Sequence, residues 1–143
     1  MFNRYALIAR IKAKVVGCDV KGVALVSTIP ISFLGDVDRE TGVIVSPENP
    51  LKGISIANRV LVVERTRGST VGVYILYALA KRGRAPKAIV VSKPDPVVIA
   101  GSILSGVTYV YGVPREVIEK VRCGDLVEIN AEKSEVVFWR VEY

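Results

Sequence analysis

The stretch "RVLVVERTRGSTVGVYILYALAKRGRAPKAIVVS", Arg59 to Ser92, changes its period twice and so decides the fold. "RVLVVE" is a short β-branched run of the kind covered on both faces of a sheet. "TVGVYILYALAKRG" then reads as a helix with a glycine at its C-terminal stop, and "PKAIVVS" as another buried strand. Strand, helix and strand within about thirty residues make a βαβ unit, with parallel strands and a right-handed crossover.

Working outward, the same pattern recurs. "DPVVIAGSILSG" predicts a second helix that opens on a proline, "VTYVYG" a third strand, and "PREVIEKVR" a short helix with proline in its first turn. "DLVEINAE" and "EVVFWRVEY" predict a closing antiparallel hairpin, with alternation that suits one buried face. Upstream, "RYALIARIKAKVV" alternates with a period near two; after the turn "GCDVKG", the run "VALVST" is expected as its antiparallel neighbour. From Ile29 to Asn58 the chain carries Pro30, Pro47 and Pro50 with Gly35, Gly42 and Gly53. That is too punctuated for long regular elements, leaving a functional loop region or an elaborate connection. The expected fold class is α/β: antiparallel strands from both termini packed against a small parallel sheet with helices, in one domain spanning residues 1–143.

Composition removes several mechanisms. The chain of 143 residues is 50% hydrophobic and 24% charged, which marks a globular protein and not a disordered tail. Its apolar runs, such as "PVVIAGSILSGV", fall short of the roughly 20 residues of a spanning helix, so no membrane partner is expected. The formal net charge is +6, but the basic residues are scattered from Arg4 to Arg140 and not interleaved with aromatics, which argues against nucleic acid. A solvated surface plus a small-anion site accounts for the charge. Cys18 and Cys123 are expected as free thiols, buried or at an edge, in a cytoplasmic protein. Two cysteines cannot by themselves supply the three or four thiolates of an iron–sulfur cluster.

The turn "ERTRGST" carries the chemistry. It joins a strand to the start of a helix near Ser69 to Val71, where backbone N–H groups converge and favour an anion. Ser69 or Thr70 can cap that helix, a role that accounts for a hydroxyl there at about 1 kcal/mol. Gly68 beside them, and Gly72 one turn into the helix, suggest that something approaches the backbone closely. Arg65 and Arg67 add forked donors suited to phosphate or carboxylate. The spacing is neither a Walker loop nor a Gly-x-Ser-x-Gly elbow, and the chain contains no histidine to complete a serine triad. Lys81, Lys87 and Lys93 remain as bases, yet nothing in their spacing aims one at Ser69. A catalytic Ser69 therefore needs a second chain to complete its site.

Three blocks in order, "FLGDVDRETGVI", "SPENPLKGISIANR" and "RGSTVGVYILY", followed by "PDPVVIAGSILSGV", resemble the small subunits of the aconitase X group, over about Gly22 to Tyr111. The resemblance implies a swivelling β/β/α domain, similar to the mobile domain of aconitase, that works with a separate large subunit. That subunit would carry the iron–sulfur cluster, a four-iron four-sulfur one by expectation. The reaction implied is dehydration of a small phosphorylated hydroxy acid, (R)-5-phosphomevalonate, to trans-anhydromevalonate 5-phosphate in an archaeal mevalonate route. The group's proton-accepting serine maps onto Ser69; Arg65, Arg67, Gly68 and Thr70 are expected as substrate or anion contacts from the chemistry of the turn itself. Related hydroxyproline dehydratases share the domain, often fused to the large part. Two features depart from the group: "ERTRGST" stands where a His-Gly pair is common, and Val73 where a small polar residue is frequent.

Two functions from different classes follow. In one, the chain is the catalytic small subunit of a dehydratase, folded yet inactive alone; in the other, it is a binding module that holds a small anion without chemistry. The proline- and glycine-rich segment 29–58 is expected to face the large subunit through Phe33 and Leu34.

Overall fold

The computed structural model describes residues 4–68 and 70–142. Its strands are β1 (Arg4–Lys12), β2 (Lys14–Val16), β3 (Val20–Ser27), β4 (Val60–Val63), β5 (Ala88–Val90), β6 (Thr108–Tyr111), β7 (Leu126–Asn130) and β8 (Glu135–Glu142). Helices α2 (Thr70–Lys81), α3 (Pro96–Ser105) and α4 (Arg115–Lys120) follow β4, β5 and β6, and the short α1 (Phe33–Asp36) lies between β3 and β4. Both βαβ units are present, since β4 pairs parallel with β5, and β5 with β6. The terminal hairpin β7–β8 is antiparallel, with Leu126 opposite Trp139 and Asn130 opposite Glu135.

All eight strands share one sheet in the order β1-β8-β7-β3-β4-β5-β6-β2. Its two outermost strands, β1 and β2, are consecutive in sequence and separated only by Ala13. One residue spans no more than about 3.6 Å, so the sheet curls until its edges meet. The Ala13 amide donates to Ser134 O at 3.0 Å at that seam.

One expectation is corrected here. "VALVST" is not the antiparallel neighbour of the first strand. The run "RYALIARIKAKVV" divides at Ala13: β1 pairs with β8, and β2 pairs with β6 at the other edge. β3 instead runs antiparallel to β7 through Val20–Val23 and parallel to β4 through Ala24–Ser27. Ala24 and Leu25 are buried, and a strand so covered is satisfied best in the middle of the sheet, whereas the half-exposed β1 tolerates an edge.

Alternation sorts the strands between two cores. Val60, Val62, Ala88, Val90 and Val110 point into the curl, against Val127, Val136 and Phe138 from the terminal hairpin. Leu61, Val63, Ile89, Val91 and Tyr109 point the other way, against Leu76 and Leu79 of α2 and Val98 of α3. Helix α2 stops where glycine allows it: Gly83 takes φ 69° and its amide donates to Ala80 O at 3.1 Å.

The segment 29–58 is the elaborate connection of the two alternatives. Ile31, Phe33, Val37, Ile44, Leu51 and Ile56 are buried in the same core as α2. Polar groups follow them inward. Asn49, 3% exposed, donates from Nδ2 to Ser27 Oγ at 3.1 Å and accepts the Leu51 amide at 2.9 Å. Leu34 is 47% exposed and Phe33 only 2%. The expectation that both face outward is therefore corrected for Phe33, which fills the chain's own interior. α1 is a kinked turn, with Leu34 and Gly35 outside helical geometry.

Candidate functional site

The turn after β4 lies at the carboxyl ends of the parallel strands, where open α/β sheets place their ligands. Two consecutive crossovers put two helix starts there, since α2 begins at Thr70 and α3 at Pro96. Their loops are laced together. The amides of Ser92 and Lys93, beyond β5, donate to Glu64 O at 3.0 and 3.2 Å. On the other flank the Arg67 amide donates to Ile31 O at 2.8 Å, and Ile31 forms a parallel bridge with Thr66.

Of the residues singled out in the sequence, Arg65, Arg67 and Gly68 stand in this turn and Thr70 opens α2; all four are exposed. Ser69 lies outside the described residues. Lys93 is exposed on the neighbouring loop, which puts three cationic residues on the loops that follow the carboxyl ends of β4 and β5. Lys81 ends α2, about 16 Å from its start at 1.5 Å per residue, with its ammonium over the Tyr77 ring at 5.3 Å. Lys87 Nζ donates to Lys21 O at 3.1 Å, at the strands' opposite end. Neither belongs to the site.

Two participants escaped the sequence reading. Thr66 is 5% exposed, and its hydroxyl donates to Asp95 Oδ2 at 3.4 Å. Asp95 caps α3, with Oδ1 accepting the Val97 amide at 3.1 Å and proline at the first helical position. The Asp-Pro pair before an apolar helix was a legible cap signal. That its carboxylate also meets the Gly68 backbone was not legible. A Cβ on Gly68 would collide with both Asp95 carboxylate oxygens, so the close approach suspected at the glycines is here an approach to Asp95. The Tyr109 hydroxyl accepts the Asp95 amide at 3.1 Å from below. Burial raises the Tyr109 phenol above its ordinary value, while its hydrogen bonds from the Asp95 amide and with Thr66 pull the other way.

Behind the turn, Phe33, Gly72, Val73, Leu76 and Val98 close a crevice with no room for a water molecule. Val73 is a packing residue in this arrangement: a Cβ on Gly101 of α3 would lie 3.0 Å from its Cγ1. A hollow of about 470 Å³ lies elsewhere, over β7 and β8 beside Arg10, Lys21 and Trp139. Cys18 and Cys123 are free and exposed, a correction to the buried alternative. Cys123 Sγ accepts the Val26 amide at 3.2 Å, and the Cys18 amide donates to Thr108 Oγ1 at 3.1 Å. Among the described residues no group of three His, Cys, Asp or Glu side chains could hold a metal ion, and no helix is long and apolar enough to cross a membrane.

Comparison with known proteins agrees over most of this length. The aconitase X swivel domain family matches residues 10–138. A phosphomevalonate dehydratase small subunit of Pyrococcus abyssi is 47% identical over 128 residues, covering 89% of this chain and 96% of its own. One from Methanothrix thermoacetophila is 46% identical over 121 residues, covering 85% and 87%. Among solved structures, the holo-form crystal structure of Thermococcus kodakaraensis aconitase X superposes with a TM-score of 0.84 at 40% identity, covering 91% of this chain and 98% of that one.

Proposed function

Because this chain belongs to the aconitase X swivel domain family, we propose that it is the small subunit of a two-chain hydro-lyase, acting in the cytoplasm. The substrate we assign is (R)-5-phosphomevalonate, dehydrated to trans-anhydromevalonate 5-phosphate. The substrate assignment follows the names of relatives with 47% and 46% identity. The observation that carries the reading is the turn between β4 and α2, which offers Arg65, Arg67 and the start of α2 on one exposed edge.

In this reading Ser69 accepts the proton from the carbon next to the substrate carboxylate. A serine hydroxyl is a weak base and serves only where preorganised donors hold its oxyanion. A helix N-terminus and neighbouring guanidinium groups are donors of that kind. Arg65 and Arg67 bind the phosphate and carboxylate, Gly68 keeps the approach open, and Thr70 adds its amide to the anion site. The crevice behind the turn is too narrow for a water molecule, let alone this substrate, so a partner has to supply the opposite wall. That partner is the large subunit, whose closure over the turn excludes water. The iron–sulfur cluster is also assigned to the large subunit, where it supplies Lewis acidity toward a departing hydroxyl. This chain has two cysteines, fewer than the three or four thiolates such a cluster usually takes.

The test is reconstitution. Co-expressed with the large subunit and assayed without oxygen, the pair should convert 5-phosphomevalonate to the anhydro product, and the small subunit alone should not. Turnover by the isolated small subunit would refute the split site. An inactive, cluster-loaded pair would refute the substrate, and activity toward a hydroxyproline instead would move the chain to the sister activity.

A further inference from the structure

We propose that Asp95 is a positioning residue for the turn that delivers Ser69, an inference that rests on the catalytic reading of that serine. The carboxylate serves more than the helix it caps. Oδ1 accepts the Val97 amide at 3.1 Å, which satisfies α3. Oδ2 faces the other crossover, accepting the Thr66 hydroxyl at 3.4 Å. Gly68 lies so flat on the carboxylate that no β-carbon fits between them. The Asp95 amide in turn donates to the Tyr109 hydroxyl at 3.1 Å, and Tyr109 is fully buried.

A cap needs one oxygen and one helix. Here one residue joins three elements: its carboxylate meets the first turn of α3 and the loop between β4 and α2, and its backbone amide meets Tyr109 of β6 beneath them. Thr66 is held from its other flank by the bridge to Ile31, so the turn is gripped on both sides just before Ser69. A base must sit within hydrogen-bond reach of the proton it removes, and a displacement of about 1 Å can cost roughly 10²-fold in rate. Asp95 sets that placement without touching substrate.

Four variants separate positioning from capping, each assembled with the large subunit. Asp95→Ser keeps a good N-cap, but its short side chain abandons Thr66 and Gly68. It should lower kcat about 10- to 100-fold with KM changed only a few-fold. Asp95→Asn keeps the shape and the capping oxygen, and its Nδ2 can donate to a rotated Thr66 hydroxyl where the carboxylate accepted from it, so it should recover most of that loss. Gly68→Ala should lose turnover by collision, and Gly68→Ala combined with Asp95→Ser should lose less than the product of the two single losses. An unchanged kcat in Asp95→Ser, equal damage in Asp95→Asn, or strictly multiplicative losses would each overturn the proposal. Hydrogen exchange on the small subunit supplies an arm independent of chemistry. Asp95→Ser should accelerate exchange across residues 66–70 while α3 keeps its protection. Unchanged exchange in that turn overturns the positioning role even if the wild-type pair proves to have another substrate, whereas an inactive wild-type pair counts against the catalytic reading alone.

Discussion

Arg140 lays its guanidinium along the carboxylate of Asp125, with Nε 3.1 Å from Oδ1 and Nη2 3.0 Å from Oδ2. Asp125 is 3% exposed and also accepts the Arg122 amide at 2.7 Å, while Arg140 Nη2 reaches Lys120 O at 2.9 Å. The pair thus fastens the end of α4 and the following turn to the last strand. Its hydrogen bonds to Asp125 raise the Arg140 guanidinium further above its already high value. Hydrogen bonds to charged groups contribute about 1.5–3 kcal/mol. The Arg140 side chain remains 32% exposed, which favours the lower part of that range. Arg140→Ala should lower the urea midpoint by the equivalent of about 2 kcal/mol with an unchanged slope. Arg140→Lys, without the fork, should restore less than half of it.

Ser69→Ala separates catalyst from cap. If the hydroxyl accepts the proton, the variant should assemble with the large subunit and bind substrate, yet lose turnover by roughly 10²- to 10⁴-fold. A hydroxyl that only caps α2 would cost about 1 kcal/mol of stability and leave turnover nearly intact. Thr70→Ala is the control and should stay active. Steady-state kinetics decide, and loss in the Thr70 variant with retention in the Ser69 variant would move the base by one residue.

Asp38 makes the connection between β3 and β4 sensitive to acid. Its Oδ1 accepts the Thr41 and Glu40 amides, each at 2.9 Å, and the Thr41 hydroxyl at 3.1 Å. These bonds favour the anion, the Thr41 amide most, and hold the carboxyl below its ordinary value. With the folded value depressed, the unfolded chain binds more protons between the two values. The contribution is therefore complete above the unfolded value of about 3.9 and is lost as pH falls through the folded one. Thermal unfolding followed from pH 6 down to pH 2 should show Asp38→Asn losing less stability than the wild type below about pH 4. Parallel curves would refute the assignment.

Leu34 and Phe33 are neighbours in opposite environments, 47% and 2% exposed. If the segment 29–58 meets the large subunit, Leu34→Ser should weaken assembly without altering the thermal stability of the free chain. Phe33→Ala should instead destabilise the free chain by about 3–5 kcal/mol, as for a large buried aromatic. Sedimentation and thermal melts distinguish the two, and a Leu34 variant that assembles normally would place the interface elsewhere.

Local pattern alone determined most of the α/β half of this protein. The β-branched run at Val60–Val63, the helical period after Thr70 and the stop at Gly83 are properties of neighbouring residues, so "RVLVVERTRGSTVGVYILYALAKRG" announced its strand, helix and turn. The arginines and the glycine of "ERTRGST", on which the proposed anion site rests, are likewise local features of the sequence. Tertiary structure decided what alternation cannot express. A period of two says which face of a strand is buried but not which strand lies beside it. Hence only the folded chain sent β1 to β8 and β2 to β6, with the division at Ala13. Prolines and glycines likewise marked 29–58 as irregular, although its apolar residues complete a core that exists only once α2 lies on the sheet. The site divides in the same way. Gly68 and Asp95 were each readable, one as a turn residue and the other as a cap, but their contact joins two crossovers 27 positions apart, and only the packing of α3 beside α2 brings them together.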